Sequence, residues 1–277
     1  MMKKTRKKKK DLRLLLAAFA LLFLALALLS GWKVYSIISL YKSAERRYDS
    51  LSDAVVAAPV FDGQGQSAEL EAEALGAAED QPQSTTFERS PVSVNFDELR
   101  NISCDVIGWL CLPNTPINYP VVQGRDNAYY LERFIDGTSA AGGSLFADYQ
   151  CPSDFSGKNT IIYGHNMKDG SMFALIDDYA DESFYRAHPV MYLNTPAQNY
   201  RIDFFSGFTA DPESFVYKSS FSGDEDFADF LRSLLACSEI DCDIEPDAGD
   251  RIVTLSTCTY SGDDVRFVLC GVLTEIG

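Results

Sequence analysis

Eight short apolar runs, each bounded by turn residues, limit what this chain can fold into. They cover residues 106–112, 117–123, 143–148, 159–163, 190–194, 200–209, 251–257 and 265–273. Val, Ile, Tyr and Phe recur inside them, and Gly, Pro, Asn, Asp and Ser separate them, which is the pattern of strands joined by turns. Many short strands with few helices between them close most readily into a β-barrel, because closure removes the unpaired edges. The expectation is a mainly β fold built on a closed, eight-stranded barrel. A short helix at 95–100, capped by Asn95, should precede it. Two helical insertions should interrupt it, at 172–179 and at 224–238. In the second, Phe227, Phe230, Leu231, Leu234 and Leu235 form an apolar stripe. That helix comes just before the strand at 251–257 and could wall a groove, although packing on the core is the commoner role of such a stripe.

The N-terminal part has a different composition. Residues 3–10 are almost all Lys and Arg, and an apolar run from 14 to 29 extends through Trp32 to about 19 residues, close to the ~20 needed to span a bilayer. A cleaved signal peptide, with a weak site at Ala25-Leu26-Ala27, is the alternative. The run is longer than a signal core and Trp32 suits an interface, so an uncleaved single-pass anchor is preferred. The basic cluster then stays cytoplasmic and the rest of the chain lies outside. Residues 33–58 keep a helical spacing of apolar side chains and read as a stalk. Residues 61–86 shift to Gln, Glu, Ala, Ser and Gly and read as a flexible spacer, with room for a local helix at 68–78. The organisation is thus 1–32 tail and transmembrane anchor, 33–90 stalk and spacer, and 91–277 folded domain outside the cell.

Charge follows the same division. The 277 residues carry a formal net charge of −16. Nine of the 24 Lys and Arg lie in the first 33 residues beside one acid, Asp11, which leaves 15 basic against 39 acidic side chains beyond them. Such a body repels phosphates, so no nucleic acid partner is expected. The seven cysteines, at 104, 111, 151, 237, 242, 258 and 270, form no Cys-x-x-Cys pair, and His165 and His188 are the only histidines. No metal site and no cofactor are expected from that set. Cys237 and Cys242 are close enough to pair, but their spacing does not require it.

Three residues combine the right chemistry with the right position. Cys258 ends the run at 251–258, and Thr259-Tyr260-Ser261-Gly262 opens a loop after it. Buried cysteines are usually inert, but one at a strand end can meet both a shielded wall and solvent. A nearby arginine or protonated histidine favours its nucleophilic thiolate. His165 also closes an apolar run. Acyl transfer needs a proton donor for the leaving amine, and imidazole titrates in the useful range. His188, before Pro189 in a polar loop, suits a turn or surface role. Arg266 lies between Val265 and Phe267 with no acid on its strand face. It can snorkel or pair elsewhere, or its fork can hydrogen-bond a developing oxyanion.

At these residues the chain resembles a class B sortase. Thr254-Leu255-Ser256-Thr257-Cys258 matches the Thr-Leu-x-Thr-Cys signature, with the serine usual in class B. Asn159-Thr160-Ile161-Ile162-Tyr163-Gly164-His165-Asn166-Met167 matches the histidine segment, and Arg266 stands at the arginine position. Residues 95–110 resemble the N-terminal class B segment. Tyr119-Pro120-Val121-Val122-Gln123-Gly124, with Asp126, Asn127, Tyr129 and Leu131, resembles the next. The helix at 224–238 fits class B over class A. The resemblance covers about 91–275. Two departures are Cys104 in place of the usual Pro and Thr259 where an acid often stands; the second bears on signal preference.

The resemblance implies a sortase-type barrel and a membrane-anchored cysteine transpeptidase outside a Gram-positive cell. Cys258 would attack the Thr carbonyl of a C-terminal sorting signal of the Asn-Pro-x-Thr-x kind, forming a thioacyl enzyme. Arg266 would hold the oxyanion, and His165 would protonate the leaving amine and deprotonate the incoming one. That amine would belong to a peptidoglycan precursor of the lipid II type, so the partners are signal-bearing surface proteins and that precursor. Leu131, Ser256 and Tyr217 match groove positions, and Asn127 assists near His165. Calcium is not expected. The alternatives are a pilin-polymerising sortase, a secreted cysteine peptidase acting hydrolytically, and an anchored barrel that only binds peptide.

Overall fold

The computed structural model describes residues 2–57, 89–258 and 265–277, with side chains described from Leu16 onward except at 17, 18, 37, 40 and 258. The spacer at 61–86 and the loop residue Thr259 lie outside them. The chain divides into two compact units, Met1–Arg46 and Arg47–Gly277. The first belongs to helix α1 (Met2–Val55). From Phe19 onward α1 is long and apolar enough, by length and composition, to cross a membrane, with a window of mean hydropathy 1.9.

The second unit holds the barrel. Its strands are β1 (Val106–Cys111), β2 (Asn118–Val122), β3 (Leu145–Ala147), β4 (Asn159–Gly164), β5 (Val190–Asn194), β6 (Asn199–Ala210), β7 (Ile252–Cys258) and β8 (Arg266–Ile276). They close in the order β8-β6-β5-β1-β2-β3-β4-β7, with β7 pairing back onto β8. The β2–β3 and β4–β7 pairs are parallel and the rest antiparallel. Trp109, Leu110, Ile161, Ile162, Tyr192, Phe204, Leu255 and Leu269 are buried in the barrel. Burying one such side chain contributes roughly 1.5–3 kcal/mol.

Helix α2 (Phe96–Ile102) begins as expected: Asn95 Oδ1 accepts the Glu98 N–H at 3.2 Å. The insertion expected at 172–179 is a 3-10 helix at Ala174–Ala180. It is followed by α3 (Glu182–Ala187), which the apolar pattern did not announce because it is one short turn-and-a-half held by the Asp181 cap. Helix α4 (Asp224–Cys237) buries Phe227, Phe230, Leu231 and Leu234 against Phe205, Phe208, Val216, Ile252 and Val268. The stripe is core packing on the outside of the barrel. β3 is shorter than the run at 143–148 because Gly143, at φ +56°, still belongs to the preceding turn.

The end of α1 departs from the stalk reading. Tyr48, Leu51 and Val55 lie on one helical stripe and are buried in the barrel unit. Val56–Ala57 pairs with Ser93–Val94. Asn118 Nδ2 donates to Ser52 Oγ at 2.9 Å, and Arg47 pairs with Asp136 at 2.8 Å. The folded unit therefore includes residues from Arg47 on as well as those from 91. Cys237 and Cys242 are both free thiols. Cys237 is exposed, and Cys242 donates to the Phe205 carbonyl at 2.7 Å.

Candidate active site

Three neighbouring strands end at one mouth of the barrel. β7 lies between β4 and β8, with Cys258 paired to Arg266 and Thr257 paired to Gly164. His165 directly follows Gly164, so the register brings positions 165, 258 and 266 level on adjacent strands. Burial fixes that register. Residues Asn159 to Ile162 and Ile252 to Thr257 are buried, and a slip of one residue would turn each side chain to the opposite face. The buried polar groups pair across it. Thr254 Oγ1 donates to Asn159 Oδ1 at 2.9 Å, and Asn159 Nδ2 donates to the Lys218 carbonyl at 2.9 Å. The second bond ties the Phe215–Tyr217 turn to the barrel wall.

The imidazole of His165 is half-buried. Its Nε2 lies 2.8 Å from the Leu131 carbonyl oxygen. A carbonyl can only accept, so Nε2 carries hydrogen and Nδ1 is left to exchange protons. The His165 carbonyl accepts the Phe173 N–H at 2.9 Å. Gly164 permits this packing: a Cβ there would come within 2.5 Å of Leu145 Cδ2 and 2.7 Å of the Phe173 ring.

Arg266 is held by aromatic faces. Its guanidinium carbon lies 5.9 Å from the Tyr163 ring centroid and 5.7 Å from that of Tyr217, and the two rings stack at 6.0 Å. Its Nε is buried and, among the described residues, meets no acceptor. An unmet buried donor costs about 1–3 kcal/mol. The Thr257 hydroxyl is likewise buried and unmet. The Tyr217 hydroxyl is 3.0 Å from Ser256 Oγ.

Asn127, Leu131, His165, Ser256 and Arg266 line one cleft of about 440 Å³. Tyr217 adjoins it through Ser256. Tyr163, Phe146 and Thr257 also line it, and the sequence reading gave them no role. Behind them lies Asp148, a buried carboxylate also unforeseen. Its Oδ2 accepts Asn127 Nδ2 at 2.7 Å and the Tyr163 hydroxyl at 3.0 Å, and its Oδ1 accepts the Gln150 N–H at 2.9 Å. Burial, and then the Asp148 charge, push the Tyr163 phenol far up, so it stays a neutral donor. Tyr163 stood inside the quoted histidine segment, and its place two residues before His165, on the same strand face, was the available signal.

His188 sits apart, its ring 4.6 Å from that of Phe184, and burial lowers its pKa. Burial raises the thiols of Cys111, to about 11, and Cys270, to about 12. Both stay protonated and inert at neutral pH. Among the described residues no group of three or more His, Cys, Asp or Glu is placed to hold a metal ion.

The Sortase domain family profile matches residues 110–274. Sortase B of Listeria monocytogenes is 37% identical over 179 residues, covering 65% of this chain and 73% of that protein. Sortase B of Staphylococcus aureus is 32% identical over 187 residues, covering 67% and 77%. Among solved structures, a Staphylococcus aureus sortase B–substrate complex aligns with a TM-score of 0.63 at 32% identity, over 66% of this chain and 85% of that one. A Bacillus anthracis protein described as similar to sortase B aligns with a TM-score of 0.65 at 29% identity, over 88% and 98%. A barrel of this topology, a histidine and an arginine flanking the cysteine position, and relatives that span most of the folded unit lead to one assignment: the chain belongs to the sortase family, in its class B, and is a cysteine transpeptidase.

Proposed function

We propose that this transpeptidase is anchored by α1 with its basic tail in the cytoplasm, and that it works outside the cell on C-terminal sorting signals of the Asn-Pro-x-Thr-x kind. The Cys258 thiolate attacks the Thr carbonyl carbon, and the oxyanion that forms is met by the Arg266 fork. The carbon–nitrogen bond then breaks. The leaving amine takes a proton from Nδ1 of His165, which enters this step as the imidazolium and keeps its Nε2 hydrogen, and a thioester to Cys258 remains. An amine of a peptidoglycan precursor attacks the thioester, gives a proton to His165, and the thiolate departs. Leu131, Tyr217, Ser256 and Asn127 bind the signal along the cleft.

The observation that carries this reading is the register of β4, β7 and β8. It sets the positions of Cys258, His165 and Arg266 side by side, and among the described residues the Arg266 Nε meets no acceptor. A Staphylococcus aureus relative has been solved as a substrate complex, which supports a peptide in the same cleft.

The test supplies a signal peptide with and without an amine. A ligated product that needs the amine is expected. Hydrolysed peptide alone, with the amine ignored, would favour a peptidase. A panel of amines, from glycyl peptides to lysine side chains, separates transfer to wall precursor from transfer to another protein subunit. Cys258→Ala should abolish turnover while peptide affinity stays within about threefold, since the thiol adds little ground-state binding. Residual ligation by that variant would rule out the mechanism.

A further inference from the structure

Among the described residues, the half-buried imidazole of His165 is oriented by one acceptor, the Leu131 carbonyl. What holds that carbonyl leads away from the cleft. Leu131 lies in the Tyr129–Glu132 3-10 turn. That turn and the residue after it are stitched to the segment 140–144: the Tyr130 carbonyl accepts the Ser144 N–H at 3.0 Å, the Glu132 carbonyl accepts the Ala140 N–H at 3.0 Å, and the Arg133 carbonyl accepts Ser144 Oγ at 2.8 Å. Gly143 presses directly on it. At φ +56°, a Cβ on Gly143 would sit 2.3 Å from the Leu131 oxygen and 2.5 Å from the Tyr130 oxygen. The two backbones are therefore in contact, and moving one moves the other.

Segment 143–144 is pinned in turn by α1. The Tyr48 hydroxyl donates to the Gly143 carbonyl at 2.6 Å and lies 3.0 Å from Ser144 Oγ. Its ring is buried edge-on to Tyr119 at 5.2 Å and against Phe134 at 4.7 Å. Arg47 stacks on Phe134 at 4.0 Å and pairs with Asp136, clamping the same loop from outside. A chain of direct contacts thus runs from Tyr48 through Gly143 to the Leu131 carbonyl and the imidazole. Tyr48 lies upstream of the segment the family profile matches, residues 110–274.

We propose that Tyr48 is a positioning residue for His165, so that the last turns of α1 are part of the catalytic apparatus and not only a tether. The inference rests on the acid–base role of His165. Its failure can be told apart from failure of that role, because the hydrogen bond is read without turnover. The chain has two histidines, so ¹⁵N spectra of the full-length protein in detergent, with His165 assigned by its loss in His165→Ala, report the imidazole tautomer directly. In the native protein, at a pH high enough for the ring to be neutral, the Nε2–H form should dominate. In Tyr48→Phe, which keeps the ring and loses the hydroxyl, the His165 signals should shift toward a mixture of tautomers. kcat should fall about fivefold to tenfold, with KM within about twofold. Ser144→Ala, which removes the bond to the Arg133 carbonyl, should show the same signature at about half the size and serves if Tyr48→Phe does not fold. A folded Tyr48→Phe with native His165 signals overturns the proposal, whether kcat is native or reduced, since a purely structural role would leave the tautomer alone. If His165→Ala retains full activity, the acid–base reading fails instead.

Discussion

Arg266 sets its guanidinium against two stacked tyrosine rings, each fixed from behind: Tyr163 by Asp148, and Tyr217 by Ser256. The fork is therefore oriented before anything binds, which is what makes a hydrogen bond to a developing charge effective. Lysine would keep the positive charge but lose both the planar fork and the stacking. Arg266→Lys should lower kcat/KM by about 100-fold or more, with the melting temperature changed little; unchanged kinetics would remove Arg266 from the oxyanion role. Asp148 acts one step further back. Asp148→Asn can keep an oxygen, now uncharged, for the Asn127 amide and the Tyr163 hydroxyl, but its NH₂ then faces the Gln150 N–H, donor against donor. A loss of about 1–3 kcal/mol in unfolding free energy is expected from that unmet group. Denaturant titration should show it, together with a severalfold rise in KM as the Asn127 and Tyr163 walls of the cleft loosen. A native KM would mean that Asp148 supports the fold alone.

At the scale of elements, the end of β4 is where packing and chemistry meet. Gly164→Ala would drive a Cβ into Leu145 and Phe173, both fully buried side chains with nowhere to move. Overpacking of this kind costs about 1–3 kcal/mol, and because His165 is the next residue, activity should fall by more than the stability loss explains. Thermal melts and steady-state rates on the same preparation check it; full activity would show that the strand end adapts. This strand was legible in advance, as were the other seven, since β-branched runs between turn residues mark strands whatever their neighbours. The positions of Cys258 and His165 at strand ends were legible for the same reason, whereas Arg266, read inside its run, is the first residue of β8. The docking of α1 was not. Tyr48, Leu51 and Val55 continue the helical spacing of the anchor without a break, and periodicity reports an apolar face but not what covers it. The Tyr48–Gly143 bond spans 95 positions, and no local pattern encodes a pairing at that distance. Asp148 was missed because a carboxylate at a strand end reads as solvated until two donors from other elements are seen on it. Nor does the sequence show β3 giving up residues to the Gly143 turn.

Across the whole molecule, the excess of acid makes pH the variable to which stability should respond most. Two sets of carboxylates act in opposite directions. Asp136, Asp154, Asp181 and Asp226 have lowered pKa values, with hydrogen bonds from neighbouring Ser, Thr, Arg or Lys among the causes. Their contribution is present at neutral pH and is lost as pH falls through their folded values, below about 4. Asp177 works the other way. Burial, then the charge of Asp178, raise it to about 6, only partly offset by the Asn166 amide that donates to it at 2.5 Å. Its other oxygen is buried and unmet among the described residues. The folded state thus binds this proton more tightly than the unfolded chain, in which the group titrates near 3.8. Its stabilising contribution is complete below that value and is lost as pH rises through about 6. The two groups together predict a stability maximum between about pH 4 and about pH 6, below the usual neutral range. The net charge of −16 acts in the same direction, since its self-repulsion weakens as carboxylates protonate, so the contribution of Asp177 has to be isolated by substitution. Asp177→Asn retains an oxygen for the Asn166 amide and carries no charge. Its melting temperature should exceed that of the native protein at pH 7.5, and the difference should shrink steadily as pH falls from about 6 to about 4. Melting curves of the two proteins that stay parallel over that interval would show that the Asp177 carboxyl titrates as an ordinary exposed acid.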